Sequence, residues 1–344
     1  MKVNDVLNKL LRFRQVISLL LLCALFAILL PGTFLSPDNL RSVLFSISIQ
    51  GIMVCGAVFP VLVGGIDRTV SGVAALGAAV CCALVSTGGF TPQSIVLGLA
   101  LGLLLGAFSG FLHGMVLARF NIPAFLLTLV TSQILYGLVQ TITGNQAIDV
   151  KDAKGFGLLG GHLLTIPVPV FFLFICLGVC YVLLNKTVYG RQLYYVGGNR
   201  GAAQLSGISV KKVIIIAYVI SGLLATISGL LLSGVNRQAS ATQALGYENE
   251  VLAAVIVGGV SLRGGQGSIL GAMFGALLIV ILSNGMQLLG IAQVYGDLVK
   301  GLIIIAAIAA DLYSSYWLNK SSQGNFLKWL LSNRSPLPAK KAQG

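Results

Sequence analysis

The chain has 344 residues, of which 56% are hydrophobic and only 9% charged, with a mean hydropathy of +0.94. A soluble domain carries roughly a quarter charged residues to cover its surface, so most of this chain's outer surface must meet lipid. The net charge of +13 does not point to nucleic acid, because the basic residues are scattered between apolar runs rather than gathered on one soluble face.

The first segment, Met1 to Arg14, is basic and amphipathic, and the run Val16–Leu30 that follows contains no Asp, Glu, Lys or Arg. No small-residue cleavage site follows it, so it reads as a retained first span with a cytoplasmic foot, 1–14. A helix crossing the hydrocarbon core needs about 20 mainly apolar residues. Breaks at Gly, Pro and charged residues then give ten candidate spans: 15–31, 44–63, 70–87, 94–117, 122–143, 166–184, 213–234, 247–259, 268–290 and 294–311. The eighth is short and reads as a broken or partly re-entrant helix. Six cysteines, Cys23, Cys55, Cys81, Cys82, Cys176 and Cys180, all fall inside apolar runs, where a thiol acts as a small hydrophobe. They form no metal-binding spacing and no disulfide framework.

Positive charge tests this count. With the N-terminus in the cytoplasm and the spans alternating, 17 of the 22 Lys and Arg fall inside, Arg68 among them. Arg41, Lys151, Lys154 and Arg237 fall outside, and Lys300 lies within the last span. A miscounted span would mix the two sets, so the segregation supports ten spans, both ends cytoplasmic and a tail at 312–344. The fold class expected is an all-α integral membrane protein, a single transmembrane domain over 1–344.

Within the fourth span, Gly98, Gly102, Gly106, Gly110 and Gly114 recur at steps of four. Four residues turn about 400°, so this ridge drifts slowly round the helix and admits another backbone closely. Ionisable groups inside apolar runs cost a few kcal/mol each at the bilayer centre, about 3 kcal/mol on insertion scales, and are functional suspects. Lys300 is the clearest, although a lysine near a helix end can snorkel outward. His113, beside Gly114, reads as a hydrogen-bonder at a helix interface. Thr128, Thr131 and Gln133 along the fifth span either line a polar path or bond back to their own helix.

The longest inside loop, 185–212, reads NKTVYGRQLYYVGGNRGAAQLSGISVKK. Its middle predicts a short helix over Asn199–Ser206. Asn199 is a good N-cap, Ala202, Ala203, Gln204 and Leu205 are good helix formers, and Gly207 suits the C′ position. A capped helix in a basic cytoplasmic loop is something a cytosolic partner can grip; the plainer reading is a solvated connector.

A resemblance weighs on that choice. The loop resembles the ATPase-docking loop of ribose-type permeases of ABC importers, T-x-x-G-R-x-x-Y-A-x-G-x-N-x-x-A-A-x-x-S-G-I. Thr187, Gly190, Arg191, Tyr194, Gly197, Asn199, Ala202, Ala203, Ser206, Gly207 and Ile208 stand in register, and Tyr195 departs where the family usually has Ala. Ile122-Pro123, Thr128-Leu129 and Thr143-Gly144 resemble the family's I-P-x-F-x-x-T-L…T-G segment. Glu248–Gly259, with Ser261-Leu262 and Gly264-Gly265, resembles E-L-x-x-I-A-A-V-x-x-G-G-T-S-L-x-G-G, and Gly64-Gly65-Ile66-Asp67 resembles G-G-I-D-L-S-V-G. After Asp67 the chain departs, with Arg68-Thr69-Val70-Ser71-Gly72 in place of Leu-Ser-Val-Gly-Ser. That swap either changes the solute or makes an Asp67–Arg68 pair at the membrane surface, which would contribute little.

The resemblance, over residues 40–311, implies a ten-helix permease of the vitamin B12 importer type in the bacterial inner membrane. It implies a second permease copy or related permease, two cytosolic ABC ATPases that bind ATP and Mg, and an extracytoplasmic solute-binding protein. The expected solute is a monosaccharide or similar molecule, with Asp67, Arg68, Thr128 and Glu248 on its path. The chain itself has no G-x-x-x-x-G-K-S/T with which to cradle ATP; Gly264-Gly265-Gln266-Gly267-Ser268 lacks the lysine. It is expected to need no cofactor and no metal and to catalyse no bond chemistry. Three rivals remain: a branched-chain amino acid permease of the same architecture, an ion-coupled secondary transporter, and a membrane enzyme. The second would show internal repeats and acids in mid-membrane, where only Asp67 is a candidate. The third would need a His/Asp/Glu cluster, and His113 and His162 lie far apart.

Overall fold

The computed structural model describes residues 14–120, 122–163 and 166–318. The foot as far as residue 13 and the tail beyond residue 318 lie outside the described residues. Ser36 opens the second helix: its hydroxyl accepts from the Asn39 N–H at 3.3 Å, and Pro37 sits in the first turn, where its missing N–H costs nothing. Thr91 and Pro92 repeat the device one hairpin later. The helices are α1 (Arg14–Leu29), α2 (Pro37–Leu62), α3 (Val70–Thr87), α4 (Pro92–Arg119), α5 (Ala124–Thr143), α6 (Val168–Lys186), α7 (Val188–Gly198), α8 (Arg200–Leu205), α9 (Val210–Asn236), α10 (Tyr247–Val257), α11 (Ile269–Leu288) and α12 (Gln293–Leu318).

Among the described residues, seven of these are both long and apolar enough to cross a membrane: α2 to α6, α9 and α11. The apolar α1 is shorter, α10 has 11 residues, and α12 has 26. Every expected span thus coincides with a helix, and the eighth is a short one, as read. The largest boundary differences are seven residues each: α12 runs on to Leu318, and α2 begins early, at Pro37. Its polar opening, Pro37-Asp38-Asn39, reads as loop unless the Ser36 cap is recognised.

Burial sorts the helices. α2, α3 and α9 are covered along most of their length, while α4, α5 and α6 expose broad apolar faces such as Val96, Leu104, Val130 and Ile175. The drift of the glycine ridge brings it against two different helices. A Cβ on Gly98 would lie 3.0 Å from the Cys81 carbonyl and one on Gly102 2.9 Å from that of Gly77, both in α3. A Cβ on Gly106 would lie 2.7 Å from the Gly222 carbonyl, and one on Gly110 or Gly114 would meet the α9 backbone at Tyr218 or Ile215. The upper part of α4 therefore seats on α3 and the lower part on α9. Two short antiparallel pairs, β1 (Ile148–Asp149) with β4 (Gln238–Ala239) and β2 (His162–Leu163) with β3 (Ile166–Pro167), tie the α5–α6 and α9–α10 connections.

Candidate functional site

Of the two readings of Asp67-Arg68, the ion pair at the membrane surface is the one the structure does not show. Past the end of α2, Gly64 is exposed and adopts φ +75°, while Gly65 is buried and its N–H returns to the Pro60 carbonyl at 2.9 Å. The chain then runs irregularly through Asp67 and Thr69, both buried, into α3. Such backbone is tolerated inside a membrane bundle only where protein groups satisfy it. Here the Thr128 hydroxyl, from α5, donates to the Ile66 carbonyl at 3.0 Å and also to Ala124 in its own helix at 2.9 Å.

Asp67 and Arg68 do not pair with each other. One Asp67 oxygen accepts from the Thr69 N–H at 2.9 Å and the Thr69 hydroxyl at 2.6 Å; the other accepts from Ser221 at 2.7 Å. Three donors offset the desolvation that an isolated buried carboxylate would suffer. Ser221 lies eleven residues beyond the start of α9, about 16 Å along its axis, so Asp67 sits deep in the bundle. Arg68 turns the other way. Its Nη2 is 3.8 Å from Glu248 Oε1, its Nη1 donates to Asn249 Oδ1 at 3.0 Å, and its guanidinium stands 5.7 Å from the Phe125 ring centroid. Glu248 also accepts from the Ser71 hydroxyl at 2.6 Å and the Gly246 N–H at 3.1 Å. The first turns of α3 and α10 therefore face each other, with an acid beside each N-terminus, where the helix dipole favours one.

The structure brings all four expected path residues together, but they are not equivalent. Thr128 is fully buried, its hydroxyl spent on backbone carbonyls. Asp67 is saturated. Arg68 and Glu248 keep 20% and 11% of their side chains exposed. Ser71, Ser221, Asn249 and Phe125 were invisible in the sequence as partners, because each comes from a different helix.

A second buried cluster lies beside it. Lys300 does not snorkel: its ammonium pairs with Glu250 and lies 3.5 Å from Asp297, and its side chain is 8% exposed. The other Glu250 oxygen accepts from Gln50 at 2.6 Å. Lys300, Glu250, Asp297 and Asn249 border a cavity of about 530 Å3 that opens beside Arg68's partner. Asp67 is thus not the one enclosed acid: Glu248 is buried as well, and the Glu250 side chain is 13% exposed. The signal was present in Glu248-Asn249-Glu250, two acids within an otherwise apolar stretch.

Residues 187–208 form two helices, where the sequence reading expected one over Asn199–Ser206. Thr187 caps α7 by accepting from the Gly190 N–H at 3.2 Å. Asn199 caps α8 by accepting from the Ala202 N–H at 3.0 Å, and Gly207 takes φ +79° just past its end. α7 escaped the sequence reading because Gly190, Gly197 and Gly198 argue against a helix. Gly190 is needed because a side chain there would strike the Leu184 carbonyl of α6. Ala202, Ser206, Asn199 and Arg191 are exposed, and so is Leu205, at 93%. Ala203 and Gly197 face inward instead, Ala203 into the main core and Gly197 onto Leu62. Tyr194, Asn199, Ala202 and Ile208 border an open groove of about 510 Å3.

Residues 39–308 match the family described as branched-chain amino acid transport system / permease component. The chain is 36% identical to the ribose import permease protein RbsC of Haemophilus influenzae, covering 87% of this chain and 93% of that protein. It is 34% identical to the L-arabinose transport system permease protein AraH of Escherichia coli, over 86% of this chain and 88% of that one. It is 32% identical to the fructose import permease protein FrcC of Rhizobium meliloti, over 88% and 85%. Among solved structures, a putative metal-chelate type ABC transporter in an inward-facing conformation is similar at 16% identity, with a TM-score of 0.48 over 87% of this chain and 98% of that one. A bundle of apolar helices with polar groups hidden among α3, α9 and α10 is a transport architecture, and the chain belongs to the family of branched-chain amino acid transport system permease components, as a multi-pass membrane permease of the ribose type.

Proposed function

We propose that this chain is the membrane subunit of an ATP-driven importer for a monosaccharide, working as one transmembrane permease domain by alternating access in the bacterial inner membrane. A second permease, two cytosolic ATPases carrying ATP and Mg, and an external solute-binding protein complete the machine. Both termini and the 185–212 loop face the cytoplasm. The relatives that carry sugar names, alike over nearly the whole chain, favour a sugar over a branched-chain amino acid. The solute passes Arg68 and Glu248, and the cavity beside Lys300.

One observation carries the division of labour. The chain lacks an ATP-cradling loop and has instead a small capped helix, α8, that offers Ala202 and the nearly fully exposed Leu205 to a groove on another protein. Ala202→Arg adds bulk and charge on that exposed face without entering the core. The variant is expected to insert and fold, yet lose the ATPase subunits in a pull-down and lose uptake with them. Retained binding and transport would overturn the assignment. Uptake of labelled ribose, L-arabinose, fructose and leucine by the same cells separates the sugar reading from the amino acid one.

A further inference from the structure

Three glycine pairs, far apart in the sequence, meet at one place. They are Gly64-Gly65 after α2, Gly197-Gly198 at the end of α7, and Gly264-Gly265 in the turn between α10 and α11. The Gly265 N–H donates to the Leu62 carbonyl at 2.8 Å. A Cβ on Gly264 would lie 2.7 Å from the Gly64 nitrogen and 3.0 Å from the Gly197 carbonyl oxygen, and one on Gly265 would lie 2.7 Å from the Gly198 nitrogen. Three backbones touch with no side chain between them, so a shift of one displaces the others. The Tyr194 hydroxyl adds a bond to the Gly267 carbonyl at 3.0 Å.

Arg200 makes the side-chain tie. It is the first residue of α8, and its Nη2 donates to the Val63 carbonyl at 3.0 Å. Val63 precedes Asp67 by four residues, along the irregular stretch that ends at the Asp67–Ser221 bond. The contact also stands on the wall of a cavity of about 360 Å3, bordered by Val63, Gly65, Arg200 and Tyr218. Open space on that side lets the stretch move without repacking a filled core. We propose that Arg200 is a positioning residue: it pulls on the Val63–Asp67 stretch when α8 moves, and so resets the Asp67–Ser221 and Arg68–Asn249 contacts. The proposal rests on α8 being the helix that docks the ATPase.

The test uses the full importer in proteoliposomes, with its ATPase and binding protein, and a permease in which Leu245→Cys is the one cysteine. Leu245 is an exposed residue on the wall of the cavity that Asn249 borders, so the Arg68–Asn249 bond stays intact, and an impermeant maleimide reads exposure there with and without ATP. The expected result is a labelling rate that ATP changes severalfold in the parent. In Arg200→Ala the ATPase subunits stay bound and hydrolyse ATP, while the ATP-dependent change falls to under a third. Arg200→Lys, which can still donate to the Val63 carbonyl, restores most of it. A full ATP response in Arg200→Ala overturns the proposal, as does no response in the parent. Loss of the ATPase subunits from Arg200→Ala also overturns it, by making Arg200 a docking contact. If Arg200→Ala does not accumulate, Arg200→Gln is read in its place against the same criteria. The docking reading fails separately, when Ala202→Arg keeps its ATPase subunits.

Discussion

The polar knot around Asp67 and the docking segment 187–208 both abandon long helices, and they solve the same backbone problem in opposite ways. In the knot, side chains from α3, α5, α9 and α10 reach in to satisfy an irregular stretch: Thr128 on Ile66, Ser221 on Asp67, Ser71 on Glu248. In the docking segment the donors are local, with Thr187 and Asn199 each capping a helix three residues away. The knot depends on hydroxyls from helices more than 60 residues away, whereas the helix starts of the docking segment are capped by their own neighbours and only Tyr194 and Arg200 reach backbone that distant. The first should be broken by removing a single charge or hydroxyl donor. The second should tolerate loss of almost any one side chain that faces water.

The largest effect is expected beside the knot, at Lys300. Lys300→Ala leaves Glu250 buried with only Gln50 to bond it, and breaking a buried pair from one side costs about 3–5 kcal/mol. The thermal midpoint of the purified permease in detergent should drop sharply. Lys300→Met combined with Glu250→Gln should recover most of the loss, since no buried charge is then left alone. A single variant as stable as the parent would mean that the pair is open to water, and that the contrast drawn here is false.

Asp67→Ala comes next. It removes the acceptor of the Thr69 N–H and of the Thr69 and Ser221 hydroxyls. The hydroxyls can turn to nearby carbonyls, so about one buried group is left unsatisfied, at about 1–3 kcal/mol in total. Asp67→Asn keeps one acceptor and should cost less in stability. Uptake should still fall with the ATPase subunits bound, because the start of α3 loses its fixed position. In the docking segment Asn199→Ala removes one cap and should cost about 1 kcal/mol of local helix stability. It should leave the thermal midpoint nearly unchanged and weaken ATPase binding in a pull-down.

This contrast also explains what could be read beforehand. Ten apolar runs, their glycine breaks and the distribution of Lys and Arg are one-dimensional signals, so the helices were legible, α3 to both its ends. The α8 cap and Gly207 obey an i to i+3 rule and were legible as well. The partners of Asp67 and Glu248 were not, since Ser221 and Ser71 look like any serine in an apolar helix until the fold brings residues 154 and 177 positions apart within 2.7 Å. The inward turn of Ala203 was not legible either: a six-residue helix gives no periodicity from which to tell its exposed face from its buried one. Arg68 was placed at a surface because Gly64-Gly65 marks a break but does not say at what depth the break lies.

The smallest expected effect separates two adjacent glycines in the docking segment. Gly197 and Gly198 both belong to α7, and neither has a positive φ. A Cβ on Gly198 would meet nothing within 4 Å, whereas one on Gly197 would collide with the Leu62 carbonyl. Helix propensity alone favours Ala over Gly by about 0.5–1 kcal/mol at either position. Gly198→Ala should therefore keep that gain, with a thermal midpoint equal to or slightly above the parent and normal ATPase capture. Gly197→Ala should lose it and more, because the clash is with backbone and can be relieved only by moving α7 off the end of α2. If both variants behave alike, the close approach of α7 to Leu62 is not maintained. The docking segment would then be a connector held only by its own caps, and the link from α8 to the Asp67 stretch would have no backbone to run through.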